Sequence, residues 1–152
     1  MEPRINYMTA APEVYRAMLG LNRSLEKSGF EPKLLDLVYL RASEINGCAY
    51  CIDMHSKDLR AKGESEQKVY LAAAWREAPL FSDRERAALA WTEAVTLLGR
   101  EGVSDAIYQQ ARAQFGEAEL VNLTLAVVAI NGWNRLNIAF RIPGGSYRAA
   151  GG

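Results

Sequence analysis

The sequence predicts an all-α protein. Strand signals are scarce, because β-branched residues never accumulate in alternating runs, whereas apolar residues recur at three-to-four spacing almost from end to end. Capping side chains, prolines and glycines cut that periodic pattern into about six to seven helices. The first runs from Pro12 to about Lys27, with Val14, Met18, Leu21 and Leu25 on one face and Gly29 just beyond its end. A second begins near Pro32, which suits a first helical position, and carries Leu34, Leu35, Val38, Leu40 and Ile45 as far as Asn46-Gly47, where it breaks or bends. Cys48 opens a third that reaches Lys62-Gly63, and Ser65 caps a short fourth with Val69, Tyr70, Ala73 and Ala74. Ser82-Asp83-Arg84-Glu85 has the spacing of a capping box and precedes a fifth with Ala88, Leu89, Trp91, Thr92 and Val95. Ser104 caps a sixth ending around Phe115-Gly116. Glu117 to about Phe140 then forms a long, mostly apolar helix whose middle is expected to be buried on nearly all sides. Pro143-Gly144-Gly145 and Gly151-Gly152 read as an unwound tail, free or docked on a neighbouring subunit.

A chain of 152 residues, 49% hydrophobic, is long enough for one domain with a substantial core and short for two, so residues 1–152 are expected to form a single domain. Eighteen basic and eighteen acidic side chains cancel, leaving no net field to recruit nucleic acid or an anionic membrane. Met1-Glu2-Pro3-Arg4 lacks the apolar core of a secretory signal, and the apolar stretch from Leu120 to Ile130 is too short for a bilayer. The expected location is the cytoplasm. Two cysteines three residues apart close too short a loop to staple a domain, and a reducing cytosol holds such a pair as thiols.

The chemistry concentrates in Cys48-Ala49-Tyr50-Cys51, which places two sulfurs one helical turn apart, able to exchange between dithiol and disulfide without unfolding. His55, the only histidine, falls four residues after Cys51 and so on the same helical face. A thiolate, not a thiol, attacks peroxide or disulfide, and an unperturbed cysteine with a pKa of about 8.5 is only slightly ionised at neutral pH. The amides of a helix start favour the anion, and an imidazole can take the thiol proton or pair with the thiolate. A histidine acting as base needs an orienting group, and the preceding helix offers a polar stripe of Asp36, Tyr39 and Ser43. Glu44 is a further candidate, with pairing to Arg41 as its simpler explanation.

Zinc on Cys48, Cys51 and His55 would need Asp36 or Glu44 as a fourth ligand, and no second Cys/His cluster completes a tetrahedron, so redox chemistry is favoured and no metal is expected. Trp75, Trp91 and Trp133, with Phe81 and Phe115, read as core or interface anchors. No flavin, haem or nucleotide motif accompanies them, so no cofactor is expected. Asn131, Asn134 and Arg135 interrupt an apolar helix and read as subunit contacts.

Several segments together resemble a family: Pro32-Lys33-Leu34-Leu35-Asp36, the run Leu40 to Cys51, His55, Trp75-Arg76-Glu77, Arg84 to Leu89 with Trp91-Thr92-Glu93, and Asn131 to Leu136. The chain is similar to the AhpD-like alkylhydroperoxidases of the carboxymuconolactone decarboxylase superfamily. The resemblance implies a helical homo-oligomer, a trimer or hexamer, that reduces hydroperoxides with electrons from a dithiol reductant. It implies that Cys51 attacks the peroxide and becomes a sulfenic acid, that Cys48 resolves it to a disulfide, and that His55 and Asp36 form the proton relay. Two positions depart from the family pattern. The relay carboxylate is typically glutamate, and Asp36 is shorter by about 1.5 Å, which calls for a bridging water or another partner such as Glu44. Tyr50 stands where the best-known peroxidases of the group carry a second histidine. The alternatives are a dithiol-disulfide oxidoreductase and a redox sensor or assembly module without turnover.

Overall fold

The computed structural model describes residues 2–149, and among these every regular element is helical. The order is α1 (Tyr7–Ala10), α2 (Pro12–Lys27), α3 (Pro32–Asn46), α4 (Ala49–Ala61), α5 (Glu66–Tyr70), a 3₁₀ turn (Ala72–Ala74), α6 (Asp83–Thr96), α7 (Asp105–Arg112) and α8 (Glu117–Ala139). The all-α prediction holds, and most helix starts follow their capping signals. Pro12 and Pro32 each occupy a first-turn position, where the missing N–H has no intrahelical acceptor to lose. Ser82 accepts from the Glu85 N–H while the Glu85 carboxylate accepts from the Ser82 N–H at 2.8 Å, completing the capping box. Ser65 and Ser104 cap α5 and α7 by accepting from the Lys68 and Ile107 N–H groups.

α3 lies at the centre, packed on α4, α6 and α8, while α2 and α6 flank α8 and α7 closes over α6. Its central place explains why α3 buries residues on nearly every side, from Leu34 to Val38 and again at Leu40, Ala42 and Ser43. Leu25, Leu59, Leu89 and Leu123 from four helices and Phe115 from the loop between α7 and α8 meet in one core, and each is fully buried. Trp75, Trp91 and Phe81 belong to that core, as predicted.

Three sequence expectations need correction. The first is a missed helix: α1 spans a single turn, too short for periodicity to register, and it is capped by Asn6 accepting from the Met8 N–H. The second concerns α8, which is not covered on nearly all sides. Val121 and Val128 are 68% and 53% exposed, and Val128 shares an open groove with Leu98 at the end of α6. The third concerns Asn134, which is fully buried with its partners inside the chain, whereas Asn131 has partners there and also lines the open groove. The Asn46 side-chain amide donates to both carbonyls, at 3.0 and 2.9 Å, and the Asn134 amide donates to the Ser43 hydroxyl at 3.0 Å. Arg135 donates to the Asn131 backbone and side-chain oxygens and stays exposed beside the open groove. These polar groups tie the end of α3 to the middle of α8.

Residues 140–149, after α8, are non-helical and dock on their own chain. Asp53 accepts from the Gly145 N–H at 2.9 Å, Tyr147 donates to Asp58 at 2.8 Å, and Lys57 donates to the Tyr147 carbonyl at 2.9 Å. Gly144 passes so close to α4 that a β-carbon there would lie 2.7 Å from the Ala49 carbonyl oxygen. Gly151-Gly152 lie outside the described residues. No single helix among the described residues is long and apolar enough to cross a membrane.

Candidate active site

The turn between α3 and α4 builds the site. Gly47 ends α3 in the left-handed region at φ 70°, which a residue with a side chain adopts only with strain, and the Cys48 N–H returns to the Ser43 carbonyl at 3.0 Å. This reversal makes Cys48 the N-cap of α4 and sets Cys51 in its first turn, where the positive end of the helix favours an anion. The two cysteines form a disulfide with Cα atoms 5.4 Å apart, and both are buried.

The sulfurs face different spaces. Cys51 lines a cavity of about 170 Å³ together with His55, Tyr39, Tyr50, Trp133 and Asn137, and among the described residues no Asp, Glu, Lys or Arg side chain contributes to its wall. α1 and α2 supply the opposite wall through Tyr7, Met8, Tyr15, Leu19 and Asn22. Cys48 opens instead onto a cleft formed by Gly47, Ala49, the end of α8 and the docked segment at Ile142, Pro143 and Gly144.

Asp36 reaches His55 directly, with Oδ1 3.4 Å from Nδ1, so neither a bridging water nor Glu44 is required. The other oxygen of Asp36 pairs with Lys62. In the neutral ring a proton on Nδ1 directed at Asp36 leaves the Nε2 lone pair free, and Nε2 is buried with no hydrogen-bond partner among the described residues. Such an atom can accept a proton from a thiol and return it to a leaving group. The Tyr39 ring packs against the imidazole at 4.9 Å between centroids, and burial, with the Asp36 charge second, pushes its phenol above the ordinary tyrosine value, so it stays protonated.

Of the predicted polar stripe, Asp36 and Tyr39 face His55, while Ser43 turns to Asn134. Glu44 also lies elsewhere: it pairs with Arg41 at 3.1 Å, and burial raises its pKa although the Arg41 hydrogen bond works against that. Tyr50 lines the cavity, with no histidine beside it. Trp133, read as a core or interface anchor, is a wall of the cavity, fixed by its indole N–H donating to Asn22 at 3.1 Å. Sequence reasoning did not single out Lys62, Tyr7 or Asn137, because their partners lie 26 to 130 residues away along the chain.

Asp36, His55 and Asp58 bring ligand atoms within 4.8 Å of one another. The Lys62 ammonium balances the Asp36 charge, and Asp58 accepts from the neutral Tyr147 hydroxyl.

This geometry defines an all-helical protein with a Cys-x-x-Cys disulfide beside a histidine–carboxylate pair. Residues 12–94 match the Carboxymuconolactone decarboxylase family, and the chain belongs to that family as an AhpD-like member. It is 38% identical to the uncharacterized protein YdfG of Bacillus subtilis over 91% of this chain and 95% of that one. A crystal structure of a protein of unknown function from Agrobacterium tumefaciens, described as a putative antioxidant defence protein AhpD, superposes with a TM-score of 0.92 at 42% identity, over 96% of this chain and all of that one. The alkyl hydroperoxide reductase AhpD of Bradyrhizobium diazoefficiens is 38% identical over 43% of this chain and 33% of its own length.

Proposed function

We propose that the protein is a thiol-dependent peroxidase that reduces compact, uncharged hydroperoxides. The observation that carries this reading is the placement of Cys51 and the Asp36-oriented His55 on one cavity with no Asp, Glu, Lys or Arg among the described residues of its wall. A space of about 170 Å³ accepts a molecule near the size of benzene, and its apolar walls favour a neutral organic hydroperoxide over an anion. The partial likeness to alkyl hydroperoxide reductases supports the same reaction class.

The cycle starts from the dithiol. His55 Nε2 takes the Cys51 proton, and the thiolate attacks the distal oxygen of the hydroperoxide. An S–O bond forms and the O–O bond breaks. The leaving alkoxide takes the proton back from His55, so the alcohol departs and Cys51 remains as sulfenic acid. Cys48 then attacks that sulfur, water leaves, and the disulfide forms. A dithiol reductant restores the two thiols and is itself oxidised to a disulfide.

Steady-state reduction of an organic hydroperoxide by the metal-free protein, with a dithiol as electron donor, is the expected result. A disulfide that cycles readily without peroxide turnover would replace this reading with a disulfide oxidoreductase or a redox sensor. The open groove holding Leu98 and Val128 supports assembly as a homo-oligomer, since covering it removes apolar surface from water. Light scattering after size exclusion is expected to give a multiple of the chain mass, and a strictly monomeric mass would overturn the assembly.

A further inference from the structure

One polar group inside the site has no part in the cycle above. Asn137, near the end of α8, is 4% exposed, and its side-chain amide donates to the Cys51 sulfur at 3.3 Å. The carbonyl end of the same side chain accepts from the Tyr7 hydroxyl at 2.8 Å. Tyr7 is itself buried, and burial, with Tyr15 and Tyr50 contributing, pushes its phenol up to about 12, so it carries the proton that Asn137 accepts. The assignment of oxygen and nitrogen in that amide follows from this chain of contacts. A disulfide sulfur has no hydrogen to give, so the NH₂ is the end of the amide that can bond it, and the carbonyl is left to accept from the tyrosine hydroxyl. Asn137 also lines both the Cys51 cavity and the Cys48 cleft, so it stands at the meeting of the two spaces.

A disulfide or thiol sulfur is a weak acceptor, whereas a thiolate is a charged one, and hydrogen bonds to charged groups are about twice as strong. A fixed donor therefore stabilises the anion more than the neutral forms. It does so when Cys51 ionises to attack, and again when reduction of the disulfide expels Cys51 as the leaving group.

We propose that Asn137 is a catalytic residue that stabilises the Cys51 thiolate through its side-chain amide, and that Tyr7 is the positioning residue that holds this amide in its donating orientation. The inference rests on Cys51 being the attacking thiol. The other titratable groups around Cys51 are His55 and Tyr50 on its own helix, Tyr39 and, behind His55, Asp36 on α3, Tyr15 on α2, and Tyr7 itself. None of them donates a hydrogen bond to the sulfur.

The test is the thiol pKa of Cys51 in a Cys48→Ser background, read from thiolate ultraviolet absorbance across pH and from the rate of alkylation. Asn137→Leu is expected to raise it by about one unit, a tenfold loss of thiolate at neutral pH. Tyr7→Phe keeps every atom near the sulfur and removes only the hydroxyl that orients the amide; a rise of about half a unit, roughly threefold, is expected. Tyr70→Phe, which removes an exposed hydroxyl bonded to Glu66 on α5 outside this cavity, is expected to leave the value where it was. An unchanged pKa in folded Asn137→Leu overturns the proposal. If that variant does not fold, Tyr7→Phe decides, and an unchanged pKa there overturns it equally. Peroxide turnover plays no part in this readout, so a protein that titrates as expected yet reduces no hydroperoxide refutes the peroxidase reading and leaves the Asn137 assignment standing.

Discussion

Cys51→Ser is expected to abolish hydroperoxide turnover, with a loss of roughly a thousandfold or more, because a serine hydroxyl at this position has neither the ionisation nor the polarisability of a thiolate. Cys48→Ser is expected to behave differently. Its Cys51 consumes one equivalent of peroxide and stops, since the sulfenic acid has no neighbouring thiol to displace water from it. A sulfenic-acid trap followed by mass spectrometry then finds the label on Cys51. The asymmetry comes from the two spaces that the disulfide separates. Cys51 shares its cavity with His55 and Asn137, while Cys48 faces a cleft walled by the docked C-terminal segment. Full turnover by the Cys51 variant, or a sulfenic acid trapped on Cys48 when Cys51 is serine, would reverse the assignment of the two thiols.

The parts of this site that could be read from the sequence are those that are local in the chain. Cys48, Cys51 and His55 lie within eight residues, so helical geometry alone brings them to one region, and Gly47 marks the reversal that starts α4. Asp36 came from a polar stripe on an apolar helix together with the family resemblance. The contact was not certain from its length, because one missing methylene is made up only by how closely α3 and α4 pack. What could not be read was long-range pairing. Asn134 looked like a subunit contact because its partner Ser43 lies 91 residues earlier, and an isolated asparagine carries no mark of which buried group it will satisfy. Tyr7 and Asn137 sit 130 residues apart, and α1, one turn long, gave no periodic signal to suggest that the N-terminal segment closes the cavity. The exposed strip on α8 escaped for the opposite reason: composition predicts an apolar helix, and only the packing of α2, α3 and α6 around it shows which face is left open.

Glu93→Ala is expected to be the most damaging single change to stability outside the hydrophobic core, costing about 3 kcal/mol, or roughly 6–12 °C in Tm. The carboxylate joins three parts of the fold. It accepts from Arg41 of α3 at 2.8 Å, from the Trp75 indole N–H at 2.8 Å, and from Arg76 at 2.5 Å, and Arg76 also stacks on the Trp75 ring. Its side chain is only 12% exposed, so removing it leaves the Arg41 guanidinium, 16% exposed, with Glu44 as its one carboxylate and takes the acceptor from a buried indole N–H. Glu93→Gln keeps acceptor oxygen for one donor and is expected to fall between the two. The same network sets a pH dependence. Burial works to raise the Glu93 pKa, but the hydrogen bonds from Trp75, Arg41 and Arg76 outweigh it and hold the carboxyl below its ordinary value of 4.5. A carboxyl depressed in the folded state contributes stability that is present above 4.5 and is lost as pH falls through the folded value. Glu44, raised by burial, contributes with the opposite sign and favours the folded state at low pH. Thermal melts of wild type and Glu93→Gln are therefore expected to converge as pH drops below about 4.5, because protonation removes in the wild type what the substitution has already removed. Parallel curves that keep their separation down to the acid limit would show that Glu93 acts through packing and not through its charge.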